Sequence, residues 1–291
     1  MSQRRTLSVL MALFALLLSG CGQATTPAPS PTAVVAAPTT VPATEVDPSP
    51  TDAPAITLNV FAAASLTDAF QEIATAFEAA NPGVTVVCNF AASQQLATQI
   101  NEGAPADVFA SANRKQMDVV IDGGMVRSEQ VQNFAQNQLV LIVPKENPAD
   151  LQTLADLAKP GLKLILADKA VPVGQYTLDF LTKASALPEY GATYAEAVLA
   201  NVVSYEDDVR SVLVKVRLGE ADAGVVYTTD AALAADALVQ ISIPEAINSI
   251  ATYPIAPLTK SAAPEVAQAF VEFVRSAEGQ AILNTYGFSS Y

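Results

Sequence analysis

A short apolar run from Thr57 to Phe61 leads directly into Ala62-Ala63-Ala64-Ser65. Leu66, Phe70, Ile73 and Phe77 then recur at helical spacing until Asn81-Pro82-Gly83, which predicts a strand, a tight turn and an amphipathic helix. The pattern returns at once. Val84, Val86, Cys88 and Phe90 alternate on one face of a second strand, and Ala91-Ala92-Ser93 opens a helix through Leu96 and Ile100. Further apolar runs at 107–111, 138–143, 162–167 and 223–227 predict strands. Between them, Val171-Pro172-Val173-Gly174 leads into a helix through Tyr176 and Phe180. Glu206-Asp207-Asp208 caps another helix, with Val209, Val212, Leu213 and Val216 on one face. The last helix groups Val266, Phe270, Phe273 and Val274. Strands alternating with helices predict an α/β fold built on mainly parallel sheets. About 235 residues is large for one doubly wound sheet, so two lobes are expected.

Parallel sheets place ligands beyond the carboxyl ends of their strands. Ser65, Ser93, Val173 and Val209 all fall at strand-to-helix turns or helix starts. A helix start offers unpaired N–H groups and the positive end of a dipole, which together suit an anion. A serine at such a place is also a common N-cap. The repetition of the device, with small alanines beside two of the serines, favours a ligand.

Composition narrows the chemistry. The 291 residues contain no histidine, which removes a Ser–His–Asp triad and His-ligated zinc. Two cysteines, Cys21 and Cys88, do not make a disulfide scaffold or a Cys-rich metal site. A net charge of -14 argues against nucleic acid as a partner. It also means that an anion would be held by local dipoles rather than steered in from afar. Cys88, on the apolar face of its strand, reads as a buried inert thiol.

The N-terminus reads as a leader. Arg4 and Arg5 precede an apolar run from Leu7 to Leu18, too short for a typical membrane span. Leu18-Ser19-Gly20-Cys21 resembles a bacterial lipoprotein cleavage box, with residues 1–20 removed and Cys21 lipidated. Residues 21–55, rich in Pro, Thr, Ala and Ser, then read as a disordered tether able to span up to about 100 Å.

From about Leu58 to Phe288 the chain resembles the periplasmic molybdate-binding proteins of ABC transporters. The matching stretches are Val60-Phe61-Ala62-Ala63-Ala64-Ser65-Leu66-Thr67-Asp68, Phe90-Ala91-Ala92-Ser93 and Gly103-Ala104-Pro105-Ala106-Asp107-Val108-Phe109. They continue with Val171-Pro172-Val173-Gly174-Gln175-Tyr176, Asp208-Val209-Arg210, 219–227 and Tyr286-Gly287-Phe288. The resemblance implies a two-lobed type II periplasmic-binding-protein fold, closing over a tetrahedral oxyanion without a cationic side chain. It implies lobe 1 from 56–137 and 245–291, and lobe 2 from 138–244. Ser65 and Ser93 match hydroxyl and backbone donors, Val173 and Val209 match backbone N–H donors, and Tyr227 matches a hydroxyl donor. Val173 stands where alanine is usual. The implied ligand is molybdate or tungstate, with molybdenum bound only as its oxyanion and no cofactor. The implied partner is the membrane permease of a molybdate ABC importer, and the implied state is a monomer on the outer face of the cytoplasmic membrane, anchored in the bilayer through Cys21.

Such donors suit a fully deprotonated anion, since nothing in the set must accept a proton. Arg210 is expected to pair with Glu206 and Asp207 rather than with the anion. Asp68 and Asp107 are expected to brace loops, and Tyr176, Tyr205 and Tyr253 to be core or surface aromatics. The alternatives are a serine-nucleophile enzyme, which lacks both a glycine-flanked elbow and a histidine base, a surface adhesin, and a receptor for sulfate or a related dianion.

Overall fold

The computed structural model describes residues 55–291. The expected leader, Cys21 and the tether up to residue 54 lie outside the described residues. The chain opens with β1 (Ile56–Ala63), a 3-10 turn at Ala64–Leu66, and α1 (Thr67–Ala80). Then come β2 (Val84–Ala91), α2 (Ser93–Asn101), β3 (Val108–Ala110), α3 (Arg114–Asp122) and the long β4 (Gln132–Pro144). The middle of the chain holds β5 (Leu164–Ala167), α4 (Pro172–Ser185), α5 (Tyr194–Ala200), β6 (Val202–Glu206), α6 (Val209–Arg217), β7 (Ala223–Tyr227) and α7 (Thr228–Ala232). The chain ends with β8 (Leu238–Ser242), β9 (Ile250–Pro257), α8 (Pro264–Arg275), α9 (Ala277–Thr285) and β10 (Ser289–Ser290).

The sheet runs β2-β1-β3-β9-β4-β7-β5-β6, with β8 and β10 also paired to β4. Each half has a parallel triplet, β2-β1-β3 and β6-β5-β7, as the alternating pattern implied. Antiparallel strands β9, β4, β8 and β10 complete the two halves and make the sheet mixed. Strand β4 belongs to both. It pairs with β9 as far as Gln138↔Ile250, and with β7 from Leu139↔Tyr227 onward. Its start at Gln132 lies six residues before the apolar run that announced it, because Gln132, Asn133 and Gln136 carry no hydrophobic signal.

The periodic faces are buried as their spacing requires. Phe70, Ile73 and Phe77 of α1 pack on β1, and Phe70 and Phe77 meet Phe270 of α8 edge-on at 6.2 and 5.2 Å between centroids. A second cluster, including Phe61, Leu96, Phe109, Met117 and Val120, fills the space under α2 and α3. Asp107 braces its surroundings as expected. One carboxylate oxygen accepts from Asn59 N at 2.7 Å, the other from Ser261 Oγ at 2.7 Å and Ala262 N at 3.0 Å. Cys88 is partly buried against the core, and burial with nearby Glu78 pushes its thiol up to about 11, which keeps it protonated and inert.

Candidate functional site

Ser65, Ser93, Val173, Val209 and Tyr227 line one cavity, together with Ala63, Ala64, Ala92, Ala112, Val171, Pro172 and Asp208. All five residues singled out from the sequence are buried. They come from the ends of β1, β2, β5, β6 and β7 and the segments that follow, as a ligand site beyond strand carboxyl ends requires. No lysine or arginine side chain is among the residues lining it.

Neither serine is a side-chain cap. Ser65 sits in the 3-10 turn before α1, and its Oγ lies 3.1 Å from Tyr253 Oη. Ser93 is the first residue of α2, where Ala92 is the cap, and Ser93 Oγ accepts from Ala112 N at 3.0 Å. That bond uses a lone pair and leaves the Ser93 hydroxyl proton free to donate into the cavity. Val173 follows Pro172 in the first turn of α4, and Val209 is the first residue of α6. First-turn N–H groups have no intrahelical acceptor, so each of these two cavity-lining residues has a backbone N–H that its helix leaves unpaired. Proline at the first helical position adds a fixed φ and removes one N–H that would itself need a partner.

Gly174 seats the start of α4. A Cβ there would lie 2.1 Å from Asp168 O and 2.6 Å from Ala167 O. Only glycine lets the helix enter this close to the end of β5, next to Val173. Asp208 lines the cavity as the cap of α6. Its carboxylate is occupied by Ser211, with Oδ1 accepting from Ser211 N and Oδ2 from Ser211 Oγ, both at 2.9 Å.

Tyr227 is 1% exposed, and its Oη has no hydrogen-bond partner among the described residues. Burial and the neighbouring Tyr253 hydroxyl raise its pKa well above the ordinary value, so it is a phenol, a donor, at any physiological pH. A buried hydroxyl without a partner is costly, and an anion in the cavity would satisfy it.

Arg210 corrects the sequence expectation. It pairs with neither Glu206 nor Asp207. Its Nη2 donates to Asp68 on α1 at 2.7 Å, and its Nε lies 2.6 Å from Asp230 on α7. Glu206 is instead held by Lys215 Nζ and Ser204 Oγ, each at 2.7 Å, because it ends β6 rather than capping α6. Two further bonds join the same regions, Gln94 Nε2 to Asp207 O and Gln116 Nε2 to Ala170 O, both at 3.3 Å. Tyr253 is correctly a core aromatic, but its hydroxyl reaches Ser65. Tyr205 is exposed, and Tyr176 is half-buried, with burial pushing it up to about 12.

Residues 58–289 match the model of the bacterial extracellular solute-binding protein family. Over 230 residues the chain is 40% identical to the molybdate-binding protein ModA of Mycobacterium tuberculosis, covering 79% of this chain and 83% of that one. It is 30% identical over 235 residues to a putative ABC transporter substrate-binding lipoprotein of Bacillus subtilis, covering 81% and 87%. The substrate-binding domain of a putative molybdenum ABC transporter from Clostridium difficile superposes with a TM-score of 0.61 at 30% identity, covering 81% of this chain and 99% of that one. These relatives are solute-binding proteins, and the cavity of buried donors without a histidine fits binding rather than catalysis. The chain belongs to the bacterial extracellular solute-binding proteins, has their type II periplasmic-binding-protein fold, and groups with the molybdate-binding members.

Proposed function

We propose that this chain is the extracytoplasmic receptor of an ABC importer and captures molybdate, with tungstate bound about equally. Ser65 and Ser93 donate through hydroxyl and backbone, Val173 and Val209 through backbone N–H, and Tyr227 through its phenol. The observation that carries this reading is Tyr227 Oη, a buried phenol without a partner among the described residues, on a residue that lines a cavity whose other polar groups are mainly donors. A tetrahedral dianion supplies acceptors in every direction and needs none in return. Helix N-termini add partial positive charge without a mobile cationic arm.

Two lobes, 56–137 with 245–291 and 138–244, close over the anion. The change of partners along β4 between Gln138 and Leu139 supports a boundary there. The Asp68–Arg210 ion pair and the two glutamine bonds would then span the mouth and hold the closed form. A permease would receive the anion when the lobes part, and the binding protein would act as a monomer.

Removing one donor at a time tests the shell. Ser65→Ala, Ser93→Ala and Tyr227→Phe should each weaken molybdate binding by about 1.5–3 kcal/mol, the range for hydrogen bonds to charged groups. Calorimetric titration reads this directly. Wild-type affinity in all three variants would remove these residues from the site. Anchoring is tested separately. The Leu18-Ser19-Gly20-Cys21 box and the likeness to a putative substrate-binding lipoprotein of Bacillus subtilis support lipidation at Cys21. Cys21→Ser should move the protein from the membrane fraction to the soluble one. An unmodified wild-type N-terminus by mass spectrometry would reject the anchor.

A further inference from the structure

The geometry points to Tyr253 as the residue that fixes Ser65 as a donor, and so as a determinant of selectivity against protonated oxyanions. This rests on the oxyanion reading of the cavity. Tyr253 lies in β9, is 0% exposed, and does not itself line the cavity. Its ring is held edge-on by three aromatic neighbours: Tyr227 at 6.0 Å, Phe134 at 6.2 Å and Phe288 at 5.5 Å between centroids. Contacts of this kind leave the phenol one direction to face.

That direction is Ser65 Oγ, 3.1 Å away. Distance alone allows either hydroxyl to donate, but the accounting of protons does not. A buried phenol proton needs an acceptor. Among the described residues, Ser65 Oγ is the one hydrogen-bond partner of Tyr253 Oη. Ser65 Oγ is therefore the acceptor for Tyr253, and the Ser65 proton turns away from Tyr253 toward the cavity. Ser93 is fixed in the same sense by the Ala112 N–H behind it. Both serines are donors into the cavity because another donor occupies the lone pair behind each of them.

A serine free to rotate would behave differently. It could turn a lone pair into the cavity and accept the proton of hydrogen phosphate. Tyr253 closes that option at Ser65, and chaining the two hydroxyls also strengthens the bond Ser65 gives to the anion. Tyr253 is thus a positioning residue that acts through Ser65.

The test is a double-mutant cycle read with two anions at fixed neutral pH. Tyr253→Phe should weaken molybdate binding about five- to twentyfold while changing phosphate less than about twofold, so the molybdate-to-phosphate ratio falls. In a Ser65→Ala background the same substitution should change molybdate affinity by less than about twofold, because the group it acts on is gone. Equal weakening of both anions, or the same loss with and without Ser65, would mean that Tyr253 only packs and would overturn the inference. Wild-type affinity in Tyr253→Phe would overturn it as well. A wild-type protein that binds none of these oxyanions would overturn the cavity reading and this inference together. Wild-type binding with an additive cycle would overturn this inference alone.

Discussion

An Arg210→Met variant should lose on the order of 3 kcal/mol of stability at pH 8 and almost none below pH 6. The reason is Asp230, which is 0% exposed and depends on Arg210 for a counter-charge. Desolvation raises its pKa from 3.8 to about 6, against the lowering effects of Arg210 and the Tyr227 backbone, with Asp68 adding to the rise. The folded-state pKa is raised, so the folded state holds the proton longer than the unfolded one. Stability from this group is complete below about pH 4 and falls as pH rises toward 6. Above pH 6 the wild-type carboxylate ionises beside Arg210. In the variant it has no partner, stays protonated to higher pH, and the penalty keeps growing. Asp230→Asn in the variant background should remove the pH dependence of the loss. Denaturant unfolding from pH 5 to pH 8 reads both effects. A pH-independent difference between wild type and Arg210→Met would show that the charge of Asp230 is not what Arg210 serves.

The second large effect is selectivity. A closed shell of fixed donors has no arm that can follow a smaller anion. Sulfate has the charge and shape of molybdate but shorter bonds. Its oxygens would meet fewer donors at good distance, and hydrogen bonds weaken steeply when stretched or bent. Losing the equivalent of two charge-assisted bonds would cost roughly 3–6 kcal/mol, a hundredfold or more in affinity. Tungstate, close to molybdate in size and charge, should bind about equally. Hydrogen phosphate should bind worst, because its proton would face donors. The two serines hold that polarity from behind, one through Ala112 N–H and one through Tyr253.

Four of the cavity's positions were legible in the sequence because each is local, whereas their convergence was not, and Tyr227 was marked only by the family resemblance. Each of Ser65, Ser93, Val173 and Val209 stands where a strand pattern gives way to a helix pattern, and that change is written in consecutive residues. What the sequence could not show is pairing across distance. Nothing near Arg210 marks Asp68, 142 positions earlier, as its partner, whereas Glu206 and Asp207 are adjacent and attract the reading. Strand β9 was hidden for a different reason. Pro254 lies inside it, and proline argues against a paired strand unless a bulge accommodates it. The register of β9 with β4 shifts between Asn133 and Ala135, where Pro254 pairs with Asn133. Without β9 in view, Tyr253 had no address in the fold, and its contact with Ser65, 188 positions away, was not readable. Burial of both partners and the lack of another acceptor are visible only in three dimensions.

If buried neutral donors hold one size of deprotonated tetrahedral anion, bond length decides which anion binds. Competition calorimetry at fixed neutral pH reads that discrimination, with molybdate displacing sulfate from the wild-type chain. The expected order is molybdate ≈ tungstate ≫ sulfate > phosphate, with molybdate ahead of sulfate by about a hundredfold or more. Sulfate binding within a few-fold of molybdate would contradict it and identify the site as a general sulfate-type receptor.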